Sequence, residues 1–241
     1  MTQPFRLPAG GIVDRAQPLA FEYDGVAYQG YAGDTLASAL LANGVHRVAR
    51  SFKYHRPRGI FSAGAEEPNA LVQLEPKQGA RTEPNVRATT QELYEGLTAS
   101  SQNCWPSVRF DIGAINNAVS RLIPAGFYYK TFMWPPTPKW WLRYEHAIRH
   151  AAGMGRTASE PDPDHYAHRY AHCDVLVIGG GATGLAAARA AAHAGARVIV
   201  CDESYWWGGG LHDAQIDDRA ASEWIAATVR ELRGQPDVTL L

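Results

Sequence analysis

The residues with the clearest chemical meaning are Gly179, Gly181 and Gly184, which form the pattern G-x-G-x-x-G. An apolar run precedes this pattern and an alanine-rich run follows it. In a dinucleotide-binding βαβ unit the first glycine permits the tight turn and the second lets the backbone approach a pyrophosphate. The third allows the helix to pack closely on the strand. The spacing therefore predicts a site for a nicotinamide or flavin dinucleotide.

The neighbours of these glycines complete the candidate site. Free N–H groups at the start of a helix favour a phosphate. Gly180, Ala182 and Thr183, which lie between the glycines where the helix begins, are therefore further candidate cofactor-binding residues. Asp202 lies 18 positions after Gly184, close to the spacing of about 20 residues for the acid that binds a ribose 2′-hydroxyl. Glu203 is the adjacent alternative. A carboxylate there repels a 2′-phosphate, which favours NAD or FAD over NADP but does not separate NAD from FAD.

A second glycine cluster, at residues 208–210, follows soon after Asp202. Gly208 and Gly209 would let the backbone approach the adenosine half of the ligand. A flexible turn explains the same residues equally well, so both interpretations stay open.

The elements that position these residues follow from the apolar pattern. Residues 175–178 and 198–200 indicate parallel strands, the first of them buried on both faces, with a helix over 185–194 between them. A helix over 218–233 places Trp224, Ile225, Val229 and Leu232 on one face, and an apolar run at 238–241 predicts a third strand. A doubly wound sheet normally continues with further strands. Residues 171–241 are therefore predicted to form an incomplete α/β Rossmann-type domain.

A different pattern fills residues 1–85. Alternating residues around Asp24-Gly25 predict a β-hairpin, Asp34 or Thr35 is a candidate cap for a helix ending at Gly44, and residues 71–74 indicate a later strand. This order predicts an α+β domain of the β-grasp, ferredoxin-like type.

Residues 86–170 are predicted to be an irregular connector, with a short helix around 90–98. The stretch 105–144 is rich in aromatic residues and broken by five prolines, Pro106, Pro124, Pro135, Pro136 and Pro138. It either packs against a partner or covers this chain's own core. The basic residues at 47–58 indicate either a solvated loop or a contact with an anion or a partner. Two groups of histidines, at 146–150 and 165–172, match no familiar metal pattern, which favours solvated side chains.

Composition narrows the function classes. A net charge of −1 argues against nucleic acid as a partner. No stretch approaches the roughly 18 consecutive apolar residues of a membrane span, and the first residues lack the apolar core of a secretory signal. The cysteines, at 104, 173 and 201, form no C-x-x-C pair, so the cytoplasm is the expected compartment.

Several strings give this chain a specific resemblance. It resembles the N-terminal part of the alpha subunit of heterotetrameric sarcosine oxidases in the strings GDTLASALLANGV, RSFKYHRPRGIF, AGAEEPNALVQLE, QNCWPS, FDIGAIN and PAGFYYKTFMWP and in the glycine fingerprint. The resemblance implies a flavin-dependent complex with beta, gamma and delta subunits that oxidatively demethylates sarcosine to glycine. It also implies NAD bound by this subunit through Gly179, Gly181, Gly184 and Asp202 or Glu203, with Gly208 and Gly209 close by. It implies no catalytic residue in this chain, because amine oxidation takes place in the beta subunit.

Proteins of similar N-terminal layout carry a [2Fe–2S] loop with the spacing C-x4-C-x2-C. The same spacing here falls on Ser62, Glu67 and Ala70, none of which supplies a thiolate. We therefore expect no iron–sulfur cluster in this chain, and NAD as its cofactor with FAD as the alternative. Two alternatives stay open: a noncatalytic docking subunit, and the FAD-binding half of another amine or amino-acid dehydrogenase complex. In each case the chain is expected to be inactive alone.

Overall fold

The computed structural model describes residues 3–75, 81–123, 126, 134–153, 155, 158, 161–162, 165–212, 214–216 and 219–241. The chain divides into two compact units. Unit 1 contains Met1–Leu7 and Val13–Asp164, and unit 2 contains Pro8–Ile12 and His165–Leu241.

Unit 1 is built on a mixed five-stranded sheet with the strand order β2-β1-β7-β5-β6. Strand β1 (Asp14–Tyr23) pairs antiparallel with β2 (Val26–Ala32) across a turn in which Asp24 and Gly25 both have positive φ angles, as the Asp-Gly signal predicts. The other strands are β5 (Leu71–Leu74), β6 (Glu83–Arg87) and β7 (Leu97–Ser101). Strand β7 runs parallel to β1 and antiparallel to β5.

Helix α1 (Leu36–Ala42) packs on this sheet and carries much of the core of unit 1. Thr35 is its N-cap, and Thr35 and Ser38 exchange side chain–backbone hydrogen bonds in a capping box. Asp34, the other predicted cap, is buried and accepts two hydrogen bonds from Arg6. A short antiparallel pair, β3 (Ala49–Arg50) and β4 (Pro57–Arg58), brackets the basic loop.

The sheet of unit 1 extends past the predicted domain boundary at residue 85. That boundary falls inside β6, and β7 lies in the stretch 86–170 assigned to a connector. No helix forms at 90–98: residues 88–96 are turns and irregular backbone with one bridge, between Glu92 and Thr35, and Leu97 begins β7. Leu97 and Ala99 are buried because β7 lies between β1 and β5, and this packing outweighs the local helix preference.

The second part of unit 1 consists of short elements and one longer helix. Helix α2 (Ile115–Ala118) lies between 3₁₀ turns at Ile112–Ala114 and Ser120–Leu122. Helix α3 (Pro138–Ala152) ends at Gly153 in the left-handed conformation. Residues 124–125 and 127–133, which include most of the string PAGFYYKTFMWP, lie outside the described residues.

Unit 2 contains a three-stranded parallel sheet with the order β12-β9-β8. Its strands are β8 (Val175–Ile178), β9 (Val198–Cys201) and β12 (Val238–Leu240). Helices α4 (Ala182–His193) and α5 (Ala221–Arg233) contact each other and the sheet. A small hairpin joins β10 (Gln215–Ile216) to β11 (Arg219–Ala220).

The helices bury one face of the sheet in unit 2. Ile225, Val229 and Leu232 are buried as the helical pattern predicts, and Trp224 packs against the same core. Strand β8 differs from its prediction, because Leu176 is 54% exposed and Ile178 81% exposed. These two side chains alternate with Val175 and Val177, which pack against the core.

Candidate functional site

The glycine fingerprint forms the turn between β8 and α4. Gly179 has a φ of +101°, a conformation that side chains disfavour, and its N–H donates to the carbonyl of Cys201 at 2.8 Å. Gly181 is the N-cap of α4. The helix therefore begins three residues before the predicted start at Leu185, and Ala182 and Thr183 lie in its first turn. Their N–H groups have no acceptor within the helix.

Gly184 is required by close packing of the helix on the strand. A Cβ at this position would lie 1.8 Å from the carbonyl oxygen of Gly179, far inside contact distance. Gly181 is different, because a Cβ there would meet no heavy atom within 4 Å. The space beside Gly181 is thus open, as the approach of a pyrophosphate requires.

Asp202 follows β9 and connects the two strand ends. Its carboxylate accepts hydrogen bonds from the N–H of Gly180 and, at 2.6 Å, from the N–H of Ser204. Burial raises the pKa of Asp202, but these two backbone donors and the Ser204 hydroxyl together outweigh burial and hold the pKa below its usual range. Since a carboxylate has about four acceptor positions, the carboxylate of Asp202 retains a position for a further donor such as a ribose hydroxyl.

The second glycine cluster lies against the first. The N–H of Gly208 donates to the carbonyl of Gly180 at 2.8 Å, and Gly208 forms an isolated parallel bridge with Gly181. Gly208 and Gly209 have positive φ angles. A Cβ on Gly209 would come 3.5 Å from the Cα of Gly181. Gly208 and Gly209 are therefore brought to the fingerprint.

Two further residues, Trp207 and Ser204, belong to this turn but are absent from the sequence-derived site. The indole ring of Trp207 covers Gly180 so closely that a Cβ there would lie 2.3 Å from the ring. The backbone N–H of Ser204 donates to the carboxylate of Asp202. The string SYWWGGGL offers a signal for both, since an aromatic residue directly before glycines can pack over a backbone that lacks side chains. Glu203, the alternative acid, is exposed.

A buried polar network organises the second part of unit 1. The guanidinium of Arg50 donates to the carbonyls of Val108, Arg109 and His55. Asp111 accepts from the N–H groups of Trp105 and Gly113 at 3.0 and 3.1 Å, and it lies 2.6 Å from Nδ1 of His55. Arg50 was one of the residues that predicted a solvated loop or an anion contact, but it is buried, its hydrogen bonds go to backbone carbonyls of this chain, and its Nε lies 4.0 Å from the carboxylate of Asp111.

A cavity of about 870 Å³ lies beside this network. Its lining includes His55, Cys104, Asp111, His146 and His150. Burial raises the pKa of the Cys104 thiol, which keeps the thiol protonated and weakly nucleophilic. His146 and His150 are exposed on α3. Among the described residues no group of three or more His, Cys, Asp or Glu side chains is placed to hold a metal ion.

The loop 59–70 in unit 1 is organised by a buried carboxylate. Glu67 is 1% exposed and accepts four backbone hydrogen bonds. The N–H groups of Phe61 and Ser62 reach one oxygen at 2.7 and 2.6 Å. Those of Asn69 and Ala70 reach the other at 2.7 and 3.1 Å. Burial raises the pKa of Glu67, but the four donors outweigh it and the pKa lies below its ordinary value.

Two family models match the chain and define the class of its two parts. Residues 16–104 match a family described as a 2Fe-2S iron-sulfur cluster binding domain. Residues 174–233 match a family described as FAD dependent oxidoreductase. The prediction of a ferredoxin-like N-terminal domain is confirmed, and residues 174–233 are similar to FAD-dependent oxidoreductases.

Curated relatives confirm the particular resemblance. The chain is 59% identical over 239 residues to sarcosine oxidase subunit alpha of Rhizobium meliloti (strain 1021), covering 98% of this chain and 24% of that protein. It is 36% identical over 244 residues to the subunit of the same name from Corynebacterium sp. (strain P-1), covering 98% and 20%. The chain thus spans a fifth to a quarter of the length of these relatives, and over that part it is similar to sarcosine oxidase alpha subunits.

A solved structure supports the fold alone. The L-proline dehydrogenase from P. horikoshii matches with a TM-score of 0.53 and 16% sequence identity, over 97% of this chain and 34% of that chain. Among the residues that the structure describes, no helix is both long enough and apolar enough to cross a membrane.

The cofactor prediction is wrong on both of its points. NAD was expected as the first ligand, but the matching family of residues 174–233 is FAD-dependent. The fingerprint cannot separate the two, because it contacts the ADP portion that NAD and FAD share. The N-terminal domain was expected without an iron–sulfur cluster, but its family is a cluster-binding one.

The N-terminal domain lacks the thiolates that an iron–sulfur cluster needs. A [2Fe–2S] cluster of this type is held by four cysteine thiolates. Residues 16–104 contain one cysteine, Cys104, while Ser62, Glu67 and Ala70 occupy the positions of the loop spacing. These residues do not fit the cluster, and no step of the proposed function passes through it.

Proposed function

We propose that this chain supplies the dinucleotide-binding part of a flavin-dependent complex that oxidatively demethylates sarcosine to glycine, and that unit 2 is the first half of a Rossmann-type site for FAD. One observation carries the proposal. The open space beside Gly181 lies at the start of α4, and the carboxylate of Asp202 is fixed beside it.

Each residue of the turn has a distinct role in this proposal. Gly179 makes the turn, and Gly184 lets α4 approach the strand. Gly181 leaves room for the pyrophosphate, toward which the N–H groups of Ala182 and Thr183 donate. This set fits the ADP portion of FAD, because it offers backbone donors and no side chain that would fill the phosphate position.

The acids and the second glycine cluster complete the binding role. Asp202 fixes Gly180 through its N–H and accepts a ribose hydroxyl on its remaining acceptor sites. Exposed Glu203 is the secondary acid. Gly208 and Gly209 bring a third stretch of backbone beside Gly180 and Gly181. Bound FAD supplies an acceptor for the electrons removed from the amine.

The division of labour between subunits is also part of the proposal. This chain positions the cofactor and holds no catalytic residue, and the amine is oxidised in another subunit. Beta, gamma and delta subunits are the proposed partners in a heterotetramer. The expected compartment stays the cytoplasm, on the grounds of cysteine usage alone.

The test is the identity of the bound cofactor in the full-length subunit. Purified protein is predicted to carry FAD, identified by its visible absorbance and by chromatography after denaturation. The Gly181→Ala variant is predicted to lose the flavin and to keep its thermal unfolding midpoint. Gly234→Ala, at the C-cap of α5, is the matched control. Colourless wild-type protein that gains no flavin on incubation with FAD contradicts the proposal.

A further inference from the structure

We infer that residues 105–122, together with the basic loop 53–58, form a docking surface for an acidic, partly apolar face of a partner subunit. The inference rests on the proposed function, in which the chain works inside a complex. It adds the position of one interface and the chemistry of the partner that fits it.

Apolar exposure in this stretch is high. Trp105 is 68% exposed, Phe110 70%, Ile115 65% and Leu122 80%. Ile112 and Val119 add smaller exposed areas. Single apolar side chains are common on protein surfaces, but here six large ones are exposed within 18 consecutive residues. Such a concentration marks an interaction site.

The backbone that carries these side chains is fixed from beneath. Arg50 binds the carbonyls of Val108 and Arg109. Asp111 holds the N–H groups of Trp105 and Gly113. Because this network is buried and well paired, the apolar side chains are held in solvent by a formed scaffold. A preformed surface loses little conformational entropy when a partner binds.

The basic loop is joined directly to this stretch. Nε of Arg56 donates to Oδ1 of Asn117 at 2.7 Å. Nδ2 of Asn116 donates to the carbonyl of Lys53 at 3.2 Å. The hydroxyl of Tyr54 donates to the carbonyl of Ile123 at 2.9 Å. These three bonds place the cations of the loop beside the exposed apolar side chains of 112–122.

The charge on this surface has one sign. Residues 35–65 contain no acid, and residues 104–123 contain only Asp111, which is buried. Exposed cations lie on both parts: Arg56, Arg58, Arg109 and Arg121. An apolar surface with a rim of cations is complementary to an apolar surface with a rim of carboxylates.

Charge and shape also decide between the classes of occupant. A second copy of this chain in a two-fold contact would bring the same cations face to face, which is unfavourable. Proteins bind single-stranded nucleic acid through phosphate contacts and through aromatic rings that stack on the bases. Four of the six exposed apolar side chains here are aliphatic and cannot stack in this way: Ile112, Ile115, Val119 and Leu122. A protein partner with an acidic rim fits both features.

The experiment uses the full-length subunit and the remaining subunits of the oxidase, purified and immobilised, with binding followed by interferometry. The double variant Ile115→Ser, Leu122→Ser is predicted to weaken binding at least tenfold, since two large apolar contacts are lost. The double variant Arg109→Glu, Arg121→Glu is predicted to slow association several-fold and to reduce its dependence on salt.

Matched controls lie elsewhere on the chain. Val26→Ser removes an apolar side chain that is 48% exposed on β2, and Arg233→Glu reverses an exposed charge on α5. Both are predicted to bind within about twofold of wild type. Flavin content is measured in every variant and is predicted to stay unchanged, which separates this inference from the proposed function.

Three outcomes overturn the inference. The first is unchanged affinity in both double variants. The second is self-association of the subunit that the same variants abolish, which assigns the surface to a second copy. The third is tight binding of a single-stranded oligonucleotide or of anionic lipid vesicles that the same variants abolish. If the wild-type subunit carries no flavin and the double variants still lose subunit binding, the docking surface is supported and the proposed cofactor role is refuted.

Discussion

Replacing Glu67 by glutamine tests the account of the loop 59–70. The substitution keeps the size of the side chain but turns one acceptor oxygen into an NH₂ group. In either orientation of the amide, one pair of backbone N–H groups, that of Phe61 and Ser62 or that of Asn69 and Ala70, then faces a donor. Two charge-assisted hydrogen bonds are therefore lost and the other two become neutral.

The magnitude follows from these bonds. A hydrogen bond to a charged group contributes about 1.5–3 kcal/mol, so two lost bonds set an upper range of about 3–6 kcal/mol. The loss is smaller than this range where water can accept the freed hydrogen bond, as it can at exposed Phe61. We expect the free energy of unfolding of Glu67→Gln to fall by about 2–4 kcal/mol, measured by denaturant unfolding followed by tryptophan fluorescence.

The same variant has a predicted pH dependence. Because the folded pKa of Glu67 lies below its ordinary value, the carboxylate contributes its full stability above the unfolded pKa of about 4.3. That contribution is lost as the pH falls through the lower folded pKa. The stability gap between wild type and Glu67→Gln is thus predicted to be constant from about pH 5 to pH 7 and to shrink below about pH 4.

The control is Glu22→Gln, the same change at an exposed carboxylate on β1 outside this loop, which is predicted to leave the unfolding midpoint in place. Wild-type stability in Glu67→Gln would refute the reasoning. A stability gap that stays the same down to pH 3 would refute it as well, because the gap would then not arise from the charge.

Three further substitutions test the remaining structure. Gly184→Ala forces a Cβ to within 1.8 Å of the Gly179 carbonyl and is predicted to destabilise unit 2 and abolish flavin binding, both visible in thermal unfolding and absorbance; a stable, flavin-loaded variant contradicts the packing argument. Arg50→Lys loses the multiple carbonyl contacts of the guanidinium and is predicted to lower the free energy of unfolding by about 2–4 kcal/mol, with exposed Arg58→Lys as the control; equal loss in both variants would exclude the network as the cause. Asp202→Ala removes the acceptor for Gly180 and for the ribose and is predicted to weaken FAD binding at least tenfold in titrations of the apoprotein, whereas Glu203→Ala has a smaller effect; the reverse order would assign the ribose to Glu203.

The elements of unit 2 were largely predictable because each is encoded locally. The apolar run of β8, the alanine-rich helix and the strand predicted at 198–200 follow one another along the sequence, and the glycines fix the turn between β8 and the helix. The start of α4 was predicted three residues late, because the alanine-rich run that signals the helix begins only at Leu185, whereas the helix itself begins directly after its N-cap Gly181. The exposure of Ile178 was not predictable either, because an apolar run does not show which of its faces is covered.

The missed parts of unit 1 depend on contacts between distant residues. Strand β7 has the unremarkable sequence LTASS, and it is a strand because it pairs with both β1 and β5. Arg50 gives no sign in the sequence of its buried position, since its partners near residues 108 and 109 are more than fifty positions away. Glu67 is similar, because four backbone donors converge on it only after the loop has folded.

The most direct test of the central claim is the cofactor content of full-length subunit purified as wild type, Gly181→Ala and Gly234→Ala. We predict FAD in wild type and in Gly234→Ala, and its loss in Gly181→Ala at an unchanged unfolding midpoint. Flavin retained in Gly181→Ala, or no flavin in any of the three proteins, would contradict the claim that this glycine turn holds the ADP portion of FAD.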